Sequence, residues 1–326
     1  MLKSEILQIL KDNTEKYTSG QYLCNKFNVS RTSVWKCINQ LKKEGYDIKS
    51  HHKLGYRLIK NSEFLYYDEI SPFLNTKFIG RNFIHYEIIN STNTFAKEIA
   101  SKSPDGTLVI AEEQTSGRGR LGRSWVSPKG CGIWMSIILK PHLNPQNALQ
   151  ITQVAALAIQ KAIVNTTNLN AKIKWPNDII INNKKVCGIL TEMNSEIDKI
   201  NYIITGIGIN VNCTNFPEEI KNIATSLSFE KKHNIDRKKI LIEILNLFEN
   251  YYMAFLDKGF TSIKNLIVDN SLTIGKDVKI IYNNKELKGK AIGIDDNGYL
   301  IIKTASEEII PIISSEVSVR SLSDYI

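Results

Sequence analysis

The stretch Gln114-Thr115-Ser116-Gly117-Arg118-Gly119-Arg120-Leu121-Gly122-Arg123-Ser124-Trp125 decides how the rest of the chain is read. Between Gly117 and Arg123 three glycines interleave with three arginines. Glycine lets a backbone approach an anion and offer its N–H groups. Arginine adds planar, permanently charged forks that match phosphate. No GKS or GKT follows, so this is not a Walker A loop, and it is not a GxGxxG run opening a helix. The expectation is a loop that holds a nucleotide or an acyl phosphate. A plain basic, flexible loop is the alternative, and the tryptophan and apolar strand that follow weigh against it.

Working outward, strands and helices alternate. Phe83–Ile89, Thr107–Glu112, Gly132–Lys140 and Ile200–Val211 read as strands, and Lys172–Ile181 with Lys185–Met193 as a hairpin turning at Asn182-Asn183. Thr94–Lys102, Asn147–Asn165 and Asp236–Asp257 read as helices, the second alanine-rich and apolar enough to be buried. This predicts a mixed sheet with helices, of α/β or α+β type. Two further segments carry polar groups suited to a ligand. In Lys174-Trp175-Pro176-Asn177-Asp178 the proline fixes a turn beside side chains that could bind a ligand or Mg²⁺, and Lys185 and Gly188 follow. Taken alone, Lys185 would pass for a surface lysine. In Thr205-Gly206-Ile207-Gly208-Ile209-Asn210 glycines alternate on one strand face, leaving either a slot for something flat or a closely packed strand.

The first sixty residues differ from this pattern. They hold twelve Lys/Arg against five Asp/Glu, a balance of +7 out of +9 for the 326-residue chain. Lys3–Lys11 has helical spacing. Ser19 caps a second short helix, and Ser30 a third over Arg31–Glu44 with core positions Val34, Ile38 and Leu41. Gly45 suits the left-handed residue that ends it. Tyr46–Leu58 reads as a hairpin with a basic, glycine-containing tip. Together these describe a winged helix-turn-helix, in which Arg31, Thr32, Ser33 and Lys36 reach base edges or phosphates and Lys49, His51, Lys53 and Arg57 lie along the backbone. His51-His52 is read as wing tip rather than metal site. Ile59–Tyr67 reads as a linker. Leu272–Ile326 consists of short strands between the turn signals Asn283-Asn284 and Asp295-Asp296-Asn297-Gly298, giving a small β-barrel.

Hydrophobic content of 42% supports packed cores. No eighteen-residue apolar run spans a membrane, and the first ten residues lack the pattern of a signal peptide. The five cysteines (Cys24, Cys37, Cys131, Cys187, Cys213) are scattered and never form CxxC. They are expected to be reduced thiols in the cytoplasm, buried as small apolar residues, with no zinc site or disulfide framework.

Taken together, Ser91-Thr92-Asn93, GRGRLGR at 117–123 with Trp125, KWPND at 174–178, Lys185 with Gly188 and GIGIN at 206–210 resemble the biotin protein ligases in order and spacing. The winged helix in front and the small β domain behind resemble the bifunctional subgroup, the biotin operon repressors. The resemblance covers essentially the whole chain and implies three parts. These are a winged helix at 1–62, a mixed-sheet catalytic domain at 75–268 and an SH3-like β-barrel at 270–326. The implied activity uses ATP and Mg²⁺ to form biotinyl-AMP, then passes biotin to one lysine of a biotin carboxyl carrier protein. Ser91, Thr92, Asn93 and Gln114 would take the ureido head. Arg118 and Arg120, carried with Gly117 and Gly119 on a loop that orders on binding, would hold carboxylate and phosphates. Arg123 and Trp125 would serve the nucleotide, and Asn177 and Asn210 the ATP phosphates or metal. Lys185 would bridge the biotin carboxylate and α-phosphate over a floor of Gly188, Gly206 and Gly208. Operator DNA, and a homodimer when the adenylate is bound, are the other implied partners. The C-terminal domain is left between a part in ATP or carrier binding and simple stabilisation. The alternatives are a lipoate ligase, a biotin sensor without catalysis, and a ligase whose winged helix no longer represses. Retention of Lys185 and all three loop arginines argues against the sensor. No Ser-His-Asp or Cys-His set accompanies these motifs, as suits a reaction that needs positioning and positive charge rather than a side-chain nucleophile.

Overall fold

A computed structural model describes residues 2–60, 63–282, 285–313 and 318–321. The chain divides into two compact units, Met1–Asp68 and Glu69–Ile326.

In the first unit, α1 (Leu2–Asp12), α2 (Gly20–Phe27) and α3 (Arg31–Lys43) pack around Ile6, Leu7, Leu10, Leu23, Val34, Ile38 and Leu41. The helix starts were encoded locally. Ser19 Oγ accepts the Gln21 N–H at 3.2 Å, and Ser30 Oγ the Ser33 N–H at 3.1 Å. Gly45 takes the left-handed conformation that the sequence asked of it. The wing is the antiparallel pair β1 (Asp47–His51) and β2 (Gly55–Lys60). At its tip His51 Nδ1 accepts the backbone N–H groups of Lys53 and Leu54, both at 3.3 Å. Part of the expected linker belongs to this unit. Tyr66 packs on its core, and Asp68 takes the Ser4 hydroxyl at 2.5 Å and Lys3 Nζ at 3.2 Å. The boundary falls within the short helix α4 (Tyr67–Ile70).

The second unit is built on a seven-stranded mixed sheet. Its strands are β3 (Phe83–Ile89), β4 (Thr107–Gln114), β5 (Gly132–Leu139), β6 (Lys172–Lys174), β7 (Asp178–Ile181), β8 (Lys184–Ser195) and β9 (Ile200–Asn210). The order is β3-β4-β5-β9-β8-β7-β6, with β3 and β4 parallel and the other pairs antiparallel. Every residue of β5 is buried, as a central strand covered on both faces must be. Helix α5 (Thr92–Ile99) packs Ala96 on Val109, Ile138 and Ile204. Two long helices, α6 (Ala148–Thr167) and α8 (Arg237–Lys258), pack on each other and on the sheet, and the short α7 (Leu227–Lys231) lies between them in sequence. Arg237, at the start of α8, sends Nη1 to buried Glu112 Oε2 and to Gly132 O, both at 2.8 Å. Glu112 Oε1 is also 3.2 Å from His85 Nε2. Helix α9 (Thr261–Asp269) was not anticipated.

The expected strand Lys172–Ile181 is two strands. The chain reverses at Trp175-Pro176-Asn177, across a cis Trp175–Pro176 bond, and Lys174 pairs with Asp178. The next turn does fall at Asn182-Asn183, both with positive φ. The expectation of five separate thiols fails for one pair. Cys131 and Cys213 are joined by a disulfide with Cα atoms 4.9 Å apart. They flank the ends of adjacent strands, where Gly132 faces Asn210, so sheet register rather than sequence spacing brings them together.

The C-terminal strands β10 (Asp277–Tyr282), β11 (Lys285–Ile294), β12 (Leu300–Lys303), β13 (Ile309–Ile312) and β14 (Ser318–Ser321) form an antiparallel sheet ordered β13-β12-β11-β10-β14. The turn expected at Asn283-Asn284 lies outside the described residues. The one at Asp295–Gly298 is present, and the Gly298 carbonyl accepts both Gln153 Nε2 at 2.8 Å and Trp175 Nε1 at 3.1 Å. Among the described residues no helix is long and apolar enough to cross a membrane.

Candidate active site

A cavity of about 270 Å³ opens over β8 and β9. Its wall brings together Ser91, Thr92, Asn93, Gln114, Arg118, Gly119, Arg120, Arg123, Trp125, Asn177, Lys185, Gly188, Gly206, Gly208 and Asn210, residues up to 119 positions apart in the chain. Gly117 is the one expected pocket residue that does not line it. It is buried beneath, where an added Cβ would sit 2.3 Å from the Trp125 carbonyl oxygen.

The arginine-glycine loop is a closed hairpin. Trp125 N–H donates to Gly117 O at 2.8 Å and Gly119 N–H to Arg123 O at 2.7 Å. Its tip, Arg120-Leu121-Gly122, places Leu121 at a positive φ of 56°. Arg118 and Arg123 are exposed. Arg120 is half-buried and donates to Asn177 Oδ1 at 2.8 Å, linking this loop to the WPND turn. Burial lowers the pKa of Arg120, an effect that Asp178 opposes and Arg123 reinforces.

At the other end of the cavity one chain of hydrogen bonds sets the polar groups. Ser91 caps α5. Thr92 N–H and hydroxyl both reach Gln114 Oε1, at 2.9 and 3.1 Å, so the Gln114 amide must point its Nε2 at Ser127 Oγ, 2.9 Å away. Asn93 Nδ2 spends its protons on Leu190 O and Glu192 Oε2, which turns Oδ1 toward the Ser136 hydroxyl at 2.6 Å. Ser127, Ser136 and Glu192 were not anticipated. Their partners are 13 to 99 residues away, and no local spacing marks them.

Opposite lie the cations Arg118, Arg120, Arg123, Lys174 and Lys185 against a single lining carboxylate, Asp178. Lys185 Nζ is 2.6 Å from Asp178 Oδ1, an ion contact rather than an aligned hydrogen bond, and 5.3 Å from the centre of the Trp125 ring. Backbone bonds from Lys185 N–H to Ile223 O and from Thr225 N–H to Lys185 O fix the strand end that carries it. They also bring in Ile220, Ile223 and Ala224, which line the wall unforeseen. The glycine face lines the cavity and is closely packed by the protein's own side chains. Gly188 and Gly208 face each other across β8 and β9, and the Trp125 indole rests on them. A Cβ on Gly208 would lie 2.3 Å from Trp125 Nε1, and one on Gly206 2.0 Å from Asn93 Oδ1.

In the first unit, Arg31, Thr32, Lys36, Lys49 and Lys53 are exposed. Ser33 is half-buried behind its cap bond. Arg57 is also half-buried, its guanidinium 5.4 Å above the Tyr17 ring rather than extended from the wing.

A positively lined pocket on a mixed sheet, in a chain that also carries a winged helix-turn-helix, defines a class: enzymes that couple a carboxylate to a nucleotide and carry a DNA-binding module. The Biotin/lipoate A/B protein ligase family model matches residues 86–210, an HTH domain model residues 3–57, and the Biotin protein ligase C terminal domain model residues 273–320. The Bifunctional ligase/repressor BirA of Bacillus subtilis (strain 168) is 42% identical over 97% of this chain and 98% of its own length. The protein of the same name from Escherichia coli (strain K12) is 27% identical over 94% of each. Biotin protein ligase from Aquifex aeolicus, solved in complex with biotin and ATP, superposes with a TM-score of 0.66 at 34% identity, covering 74% of this chain and 99% of that one. The chain belongs to the bifunctional biotin protein ligase/repressor family.

Proposed function

We propose that the pocket joins biotin to ATP, forming biotinyl-AMP and pyrophosphate, and then passes biotin to a lysine of a biotin carboxyl carrier protein. In the first step a biotin carboxylate oxygen attacks the α-phosphorus and pyrophosphate leaves. In the second, the carrier amine attacks the acyl carbon and AMP leaves. Two anions must meet in the first step, so the main catalytic need is fixed positive charge. The observation that carries the reading is the crowding of Arg118, Arg120, Arg123, Lys174 and Lys185 around one pocket with a single carboxylate.

Lys185 is assigned to the carboxylate and α-phosphate, which it reaches by exchanging Asp178 for substrate oxygens. Arg118 and Arg120 hold the carboxylate and phosphates, and Arg123, Asn177 and Asn210 the nucleotide. Trp125 walls the adenine side. The fixed amides of Asn93 and Gln114, with Ser91 and Thr92, take the ureido head. Gly188, Gly206 and Gly208 keep the floor low. For Mg²⁺, Asp178, with Asn177 and Asn210 on the same cavity wall, suits a cation that takes one protein carboxylate and draws its remaining oxygens from phosphate and water. Bound there, the ion would neutralise phosphate charge.

The winged helix is assigned to operator DNA and the adenylate to the role of corepressor. Substrate phosphates on the loop arginines would favour a homodimer that sets two winged helices on two half-sites. Unchanged DNA affinity on adding biotin and ATP rejects this part.

The test is transfer of biotin to purified apo carrier domain with ATP and Mg²⁺, read by avidin blot, with lipoate as competitor and Lys185→Ala as control. Transfer that needs ATP and Lys185 and resists lipoate supports the ligase. Biotin binding without transfer would make the protein a sensor.

A further inference from the structure

We infer that Trp35, on the exposed face of α3, reads DNA by packing its indole against the C5-methyl group of a thymine in the major groove. The inference rests on the assignment of the first unit to DNA. Trp35 is 56% exposed, whereas Trp134 and Trp175 are buried in the second unit. Its neighbours Val34, Ile38 and Leu41 already fill the core side of α3, so the fold does not use the ring. At helical spacing Trp35 falls between Arg31 and Thr32 one turn before it and Lys36 beside it, all exposed. The helix contains no acidic residue. A large apolar surface rimmed by cations and small polar groups alone fits a polyanion that also presents apolar groups at its base edges. In duplex DNA that group is the thymine methyl, displayed in the major groove. The helix is braced for such a contact: Arg31 is held to Gln21 Oε1 of α2 by two bonds, at 2.7 and 3.2 Å. Arg31, Lys36 and the wing lysines supply attraction to phosphate that is blind to sequence. Trp35 adds discrimination.

The test uses the full-length protein with biotin and ATP, and duplexes that it selects from a random pool. Each thymine in the selected sequence is replaced in turn by deoxyuridine, which lacks only the methyl group. At one symmetric position per half-site the wild-type protein is expected to lose about fourfold in affinity, the value for one buried methyl group. Trp35→Ala should bind the thymine duplex more weakly and be indifferent to deoxyuridine there. Trp35→Phe should keep part of the sensitivity. Both variants should keep the far-ultraviolet circular dichroism of the parent and its salt-dependent binding to random duplex, because phosphate contacts are untouched. A deoxyuridine penalty that persists unchanged in Trp35→Ala, or no sensitive thymine in the wild type, overturns the inference and leaves DNA binding standing. Selection of no sequence, with no binding to random duplex, overturns both.

Discussion

The two units place their positive charge in opposite ways. In the winged helix Arg31, Lys36, Lys49 and Lys53 stand exposed. In the catalytic unit the cations sit in graded depth. Arg118 and Arg123 are exposed, Lys185 keeps 33% of its side chain open beside Asp178, and Arg237 keeps 4% against Glu112. Exposed charges meet a long polymer by summing weak, screened attractions. In the proposed reaction the charges held in the pocket meet one triphosphate in one geometry, while a buried charge such as Arg237 is paired inside the fold. The same chemical group therefore does three jobs, separated by its access to water.

If depth decides the job, the effect of removing a cation should fall with exposure. Arg237→Ala leaves Glu112 charged and buried, and is expected to cost about 3–5 kcal/mol of stability in urea unfolding, with Arg237→Met no better at satisfying the carboxylate. Lys185→Ala should keep its unfolding midpoint but release pyrophosphate from biotin and ATP about 10²–10³ times more slowly. Normal pyrophosphate release by this variant would remove Lys185 from the chemistry. Gly208→Ala tests the cavity floor between these cations and the Asn93–Gln114 end. Its Cβ meets Trp125 at 2.3 Å, so the ring must shift, and overpacking of about 1–3 kcal/mol should appear as weaker biotin binding by calorimetry and altered tryptophan fluorescence. Lys53→Ala should have the smallest effect, lowering affinity for all duplexes alike and reducing the slope of log affinity against log salt by about 1. A base-specific loss would instead place Lys53 among the reading residues.

What was legible in the sequence was local. Ser19 and Ser30 announced helix starts by side-chain chemistry that acts within three residues, and both are caps, whereas the helix expected from Thr94 starts at Thr92 behind a Ser91 cap that was not foreseen. The glycines at 206 and 208 announced a face without side chains, because their absence is visible in one dimension, but that Asn93 and Trp125 pack against that face was not. The KWPND motif was read two ways, as a turn fixed by Pro176 and as the middle of a strand Lys172–Ile181, and the pairing of Lys174 with Asp178 decides for the turn. Register-dependent features were hidden altogether. Cys131 and Cys213 are 82 residues apart, Glu112 and Arg237 are 125 apart, and Glu192 reaches Asn93 across 99. Adjacent strands join the first pair and helices packed on the sheet join the other two, an arrangement that composition and periodicity do not contain. Asp178 was visible within its motif, yet its part as the counter-charge of Lys185 emerges only where β7 lies beside β8.

The shared carbonyl of Gly298 bears on how such proteins can be cut and recombined. One backbone oxygen of the C-terminal sheet serves the buried donors of Gln153 on α6 and of Trp175 in the WPND turn, and Thr273 Oγ1 accepts the Trp175 N–H at 3.0 Å. Excision of everything after residue 270 would strand three buried donors inside the catalytic body, each costing about 1–3 kcal/mol. The loss would fall on the strut beneath Asn177 and Asp178. The terminal sheet is thus a keystone rather than an appendage. The catalytic sheet and the terminal sheet must therefore travel together in any recombined chain.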